Sequence, residues 1–273
     1  MLRLETETGW WLVTHPDHAR LAGAFAEKWG NAAFVSPSPR ENVLLGIRCH
    51  DDGWTQRDAL PQITPQGKPS AFSTELVGKY SAFEEIDLED YLAVRDRAVR
   101  LIAAEDPYAG LLVSMHTYNL LSERADRSTI SPEQLPQLDA FLEAQTELQG
   151  KLLWIIRSDP GFTYEEKDES RIRDHFRLLQ ATDNLSLLSC VGFMHPATLL
   201  HPLPLEDGTY TQVDVTATGE RCFRLSPYPF AKAQLTFEFP ARHVAGKIFE
   251  TAQELQERFR VAAIEMLTVT ISA

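Results

Sequence analysis

The stretch GIRCHDDGW, residues 46–54, decides how this chain is read. It continues an apolar segment that begins in "SPRENVLL", where Ser38 is the expected N-cap, Pro39 the first helical residue and Glu41 the partner in a capping box. A helix so started should run on into a core. Instead it meets Cys49-His50-Asp51-Asp52 before Gly53 and Trp54. His50 falls seven residues after Val43 and three after Ile47; Asp51 falls seven after Leu44 and four after Ile47. Both therefore lie on stripes that face inward.

Working outward, the same conflict recurs on other helical patterns. His18 shares a face with Leu21, Ala22, Phe25 and Trp29, and His116 follows Ala109, Leu112 and Val113 at helical spacing. Asp183 lies eleven residues after Ile172, seven after Phe176 and four after Leu179. Taken singly, each histidine is explained as a hydrogen-bonded core residue, and Asp51 as a helix-ending residue. Asp183 is harder to accommodate, because a buried carboxylate is costly unless paired or bound to a cation, and its own stripe has no Lys or Arg. Three imidazoles and two carboxylates aimed inward from four helices would satisfy one another through a metal. Nitrogen and oxygen donors of this mix suit Mn, Fe, Zn, Co or Ni.

The rest of the chain sets bounds. With 273 residues, 44% hydrophobic and 24% charged, it has the composition of a globular protein with a sizeable core. No apolar run is long enough to span a bilayer, the N-terminus has no signal-peptide pattern, and three cysteines suit reduced thiols; a cytoplasmic protein without membrane association is expected. A net charge of −13 argues against binding nucleic acid backbones, although a metal can still make a pocket attractive to a small anionic substrate. Residues 1–15 read as a β-hairpin and 16–195 as a helical body. The prolines of 55–74 mark a long loop and candidate lid, with Trp54, Arg57, Lys68 and Phe72 around it. Segments 210–217, 220–226, 233–242 and 265–273 have strand texture with one helical insertion near 251–259, so 196–273 is expected to be β-rich. The expected fold is mainly α at its core and α+β overall.

The order His18, His50-Asp51, His116, Asp183 resembles the HD-domain superfamily of metal-dependent phosphohydrolases, helical bundles named for an adjacent His-Asp ligand pair. "HDDG" is similar to the H-D-x-G form of that pair, and "LLQATDNLSLLSC" to the segment with the last aspartate. "HPDHARLAGAFAEKWG", "HDDGW" and "LLVSMHTYNLL" look like a bacterial family of unknown function related to that superfamily. The resemblance spans roughly residues 10–195. It implies His18, His50, Asp51 and Asp183 as the basic ligand set, with His116 from the expanded set of dinuclear members. The fullest pattern has further histidines before the final aspartate; here only His175 lies between, about 12 Å along the helix axis from Asp183. One metal is therefore expected and a second allowed for.

The resemblance implies a phosphohydrolase acting on a small phosphorylated metabolite or nucleotide through a metal-activated water. Asp52, Lys79 and Arg124 are the candidate catalytic residues; His15, Arg48 and Tyr118 are further donors near the ligands in sequence. Two other functions stay open: an HD-type di-iron oxygenase of a small polar substrate, and a non-catalytic binding protein with a closed metal shell. A homodimer is compatible with the sequence.

Overall fold

The structure, a computed structural model, describes residues 1–77 and 87–273. Helices α1 (His15–Lys28), α2 (Arg40–Cys49), α3 (Thr55–Asp58), α4 (Leu88–Glu105), α5 (Pro107–Asn119), α6 (Leu135–Ser158) and α7 (Glu169–Cys190) form the body. Their starts follow local chemistry. Thr14 caps α1 by accepting from the Asp17 amide at 3.1 Å, with Pro16 in the first turn, and Asp106 caps α5 through the Ala109 amide at 2.8 Å. Ser38 does not cap α2, which is preceded by Pro39 and has no side-chain cap. The Ser38 hydroxyl donates to Glu166 at 2.9 Å and its amide to His175 Nε2 at 3.4 Å, so partners from a distant segment outcompete the capping box.

The sheet runs β1 (Leu2–Glu5), β2 (Gly9–Val13), then β8 (Gln234–Ala245), β9 (Ile264–Ser272), β7 (Cys222–Ser226), β6 (Asp214–Gly219) and β3 (Ala197–Thr198) in spatial order. β4 (Leu203–Pro204) and β5 (Tyr210–Thr211) pair separately, and α8 (Ala252–Val261) precedes β9. All sheet pairings are antiparallel except β7 with β9. The N-terminal hairpin joins the C-terminal strands through β2 against β8, Trp10 opposite Val244. Along β8 and β9 the side chains alternate: Phe237, Phe239, Leu267, Val269 and Ile271 are buried, while Thr236 and Glu238 face solvent. Phe25 of α1 meets Phe237 edge-on at 4.8 Å, and Leu21, Leu179 and Leu185 belong to the same apolar cluster as the inner sheet face. Helices and sheet thus share one core.

The 55–74 segment contains α3 and otherwise runs irregularly beside β1. Arg3 donates its amide to the Phe72 carbonyl at 2.8 Å, and Phe72 donates to Met1 at 2.9 Å. No helix among the described residues is long and apolar enough to cross a membrane.

His175 is buried between α5 and α7 and takes no part in the cluster described below. Its Nε2 accepts from the Ser38 amide, so Nδ1 carries the proton and donates to the Tyr108 hydroxyl at 2.7 Å. Burial pushes its pKa down to about 3. The folded state then binds fewer protons than the unfolded state between about 3 and the ordinary 6.5. This contribution to stability is complete above pH 6.5 and is lost as pH falls toward 3. His175→Gln should flatten the acid limb of stability against pH by up to about 1.4 kcal/mol per pH unit between pH 6 and 4, measured by urea unfolding.

Candidate metal centre

Four helices converge on one point. α1 brings His18, the C-terminal end of α2 brings His50 and Asp51, α5 brings His116 and α7 brings Asp183. None of the five is more than 6% exposed. They form two triads that share an imidazole: His18, His50 and Asp51, and His50, His116 and Asp183. Within each, one donor atom per residue lies within 4.8 Å of the others.

Hydrogen bonds at the far side of the His50 and His18 rings fix which nitrogen faces the cluster. His50 Nδ1 donates to the Ile47 carbonyl at 2.7 Å, which turns Nε2 toward Asp183 Oδ1 at 3.3 Å. The Ser186 hydroxyl donates to the Asp183 carbonyl at 2.8 Å, so its oxygen accepts from His18 Nδ1 at 2.9 Å. His18 Nε2 then faces Asp51 Oδ2 at 3.0 Å. An imidazole lone pair opposite a carboxylate oxygen is repulsive unless a proton or a metal cation lies between them. Such anchoring of the distal nitrogen is the usual support of a metal-ligating histidine. His50 Nε2 and His116 Nδ1 also find no aligned hydrogen-bond partner among the described residues. These orphaned buried donors fit a metal ion.

The electrostatics agree. Burial alone would lower the pKa of His50, but the Asp51 and Asp183 carboxylates outweigh it and raise it to about 9. In the metal-free protein a proton on His50 therefore takes the cation's place. His116 is pushed down to about 3, by burial first and then partly by the charge on His50. Burial acts to raise Asp51 and Asp183; Arg95 beside the first and His50 beside the second hold both below the usual carboxylate range.

Arg95 is the residue that sequence reasoning missed. It lies on α4, is 6% exposed, and donates Nη1 to Asp51 Oδ1 and Nε to the Tyr91 hydroxyl, the latter at 3.1 Å. Its guanidinium stacks 5.4 Å from the Trp54 ring centre. The signal was present: Tyr91, Arg95, Ala98, Val99 and Ile102 are spaced as one helical stripe, the criterion that singled out the histidines.

A cavity of about 180 Å³ opens against the cluster. His18, Asp51, His116, Asp183 and Arg95 form part of its wall, with Arg57, Arg124 and His15 nearby. His15 is held by Asp58, which accepts from its amide at 2.5 Å and lies 3.1 Å from Nδ1; its ring stacks on Trp54 at 4.2 Å. Burial and the Met1 amino group lower His15 to about 4. Among the other sequence candidates, Arg124 lines the cavity, whereas Asp52 turns outward and pairs with Arg20 at 3.0 Å. Arg48 is exposed, Tyr118 packs beside the cluster around Trp54 and Tyr91, and Lys79 lies outside the described residues. Of the loop, Pro61, Gln62 and Phe72 reach the cavity wall; Lys68 does not, its ammonium lying 6.0 Å from the Trp10 ring centre.

Together these features define an α+β protein whose buried His/Asp cluster can hold a metal ion at the end of a cavity. The chain belongs to the family described as Protein of unknown function (DUF3891), whose model matches residues 1–246 and so includes all five cluster residues and Arg95. No curated protein and no solved structure matches the chain.

Proposed function

We propose that this protein is a metal-dependent hydrolase of the HD type, a phosphohydrolase acting on a small phosphorylated metabolite or nucleotide. The observation that carries the proposal is the pair of His/Asp triads, each with an imidazole nitrogen turned toward a carboxylate, against a cavity that also holds arginines. His18, His50, Asp51, His116 and Asp183 would hold the ion. A divalent Mn, Fe, Zn, Co or Ni ion there supplies an acidified water and polarises a phosphoryl oxygen. The chain's own groups do the rest. Arg95 fixes one oxygen of Asp51 and leaves the other toward His18. Arg57, which also pairs with Asp90 at 3.3 Å, and Arg124 stand on the cavity wall where an anionic substrate would meet them, and the bound cation would add to their attraction. Asp58 orients His15 as a hydrogen-bonding group on the same wall.

The sharing of His50 between two triads also supports a second reading, an oxygenase with two irons. Metal content by mass spectrometry, on protein purified without chelator or nickel resin, separates the two. Stoichiometric metal in wild type, lost in the double variant His50→Ala, Asp51→Ala, is the expected result. One redox-inert ion per chain with hydrolysis of a phosphoester supports the hydrolase, and two irons with oxygen consumption support the oxygenase. Metal-free wild type that still folds overturns both.

A further inference from the structure

Gln180 sits on α7 one turn before Asp183, has no exposed surface, and lines the same cavity. Its amide orientation is set by a relay that begins at the surface. The Glu123 carboxylate can only accept, so Asn119 must offer it Nδ2, at 2.8 Å. Asn119 Oδ1 is thereby left to accept from Gln180 Nε2, at 3.0 Å. That leaves Gln180 Oε1, an acceptor that finds no hydrogen-bond partner among the described residues. Asn184, beside Asp183 and on the same cavity wall, also has an unpartnered oxygen. A buried carbonyl without a donor is costly, so a fully buried acceptor held in place through Asn119 and Glu123 needs a function.

We infer that Gln180 is a specificity-determining residue that receives an uncharged or cationic hydrogen-bond donor of the substrate, a hydroxyl or an amine, next to the group held at the cluster. This rests on the phosphohydrolase reading and narrows its substrate class. An oxygen of the phosphate itself would be repelled by a carbonyl, so the anion and the donor must be separate groups. Three residues of helix separate Gln180 from Asp183 by about 4.5 Å along the axis, so the donor is placed close to the phosphoryl group, and short esters are the first probes. Farther along the same face of α7, Leu187 and Leu188 line the cavity, so the remainder of the substrate meets apolar surface.

The test is calorimetric binding of matched phosphate monoesters to the chelator-treated protein and to the Mn²⁺-loaded protein at low temperature. 2-Hydroxyethyl and 2-aminoethyl phosphate carry the donor, ethyl phosphate lacks it, and inorganic phosphate reports the anion site alone. Wild type is expected to bind the two donor esters at least about tenfold more tightly than ethyl phosphate. Gln180→Met should bring that ratio close to one while leaving ethyl phosphate affinity within about twofold. Glu123→Gln, an exposed change that unlocks the amide orientation, should lower the ratio even if Gln180→Met fails to fold. A wild-type ratio near one with inorganic phosphate still bound overturns the donor assignment alone. No binding of inorganic phosphate or any ester to metal-loaded protein overturns the phosphohydrolase reading and this inference with it.

Discussion

Asp51→Ala is expected to destabilise the metal-free protein by about 3–5 kcal/mol, more than any other single change in the cluster. The reason is Arg95. Its guanidinium is buried at the site, and Asp51 is the carboxylate to which it donates. Removing the carboxylate leaves a buried cation without its counter-ion, and such a group costs more than the pair contributed. The double variant Asp51→Ala, Arg95→Leu removes the stranded charge and should recover half or more of the loss. Urea unfolding in the presence of chelator, on both single variants and the double, gives the coupling directly. If the double variant is as unstable as the sum of the singles, the pair is not what holds this turn. Metal should be lost from the Asp51 variants whatever their stability, so the two roles of the carboxylate separate in one set of proteins.

Gly53→Ala should have the next largest effect, through sterics alone. A Cβ at position 53 would lie 2.3 Å from the Val94 carbonyl oxygen and 2.9 Å from the Ala98 Cβ. Both atoms belong to α4, and the first is backbone, so the turn holding Asp51 must move away from the helix carrying Arg95. Overpacking of this kind costs about 1–3 kcal/mol. Because Asp51 and Arg95 sit on opposite sides of that contact, metal content should fall as well. Gly150→Ala is the counterpart: nothing lies within 4 Å of a Cβ there, in the middle of α6. It should stabilise by up to about 1 kcal/mol. Opposite shifts in the thermal midpoint from the same chemical change would establish that Gly53 is required for close approach. Equal shifts would remove that explanation.

Much of this was legible in the sequence because helical periodicity reports which residues face inward. His18, His50, Asp51, His116 and Asp183 each broke an apolar stripe, and the helices that carry them converge. The strand texture of 210–217, 220–226, 233–242 and 265–273 likewise corresponds to β5 through β9. What escaped were features settled between segments rather than within one. Ser38 has a good local capping pattern, yet Glu166 and His175 claim its polar groups. Arg95 obeys the stripe rule, but a lone arginine on an apolar face is easily read as a snorkelling side chain until its carboxylate is placed opposite. Gln180 could not be singled out at all, because the meaning of an amide lies in which end it offers, and that is decided by Asn119 at the end of α5 and Glu123 just beyond it. The irregular 55–74 segment was visible as a break in pattern. Its anchoring to the N-terminal strand by backbone bonds was not.

The placement of β9 bears on how the molecule is made. It lies between β8 and β7, so among the described residues the β1–β2–β8 half of the sheet and the β7–β6–β3 half pair through β9, residues 264–272. β8 ends at Ala245 and β9 begins at Ile264, so at a synthesis rate of about 5–20 residues per second β8 is made about 1–4 seconds ahead of its partner. During that interval β8 has an open edge. The nascent chain must therefore keep a half-built sheet from pairing with its neighbours until β9 arrives to close it.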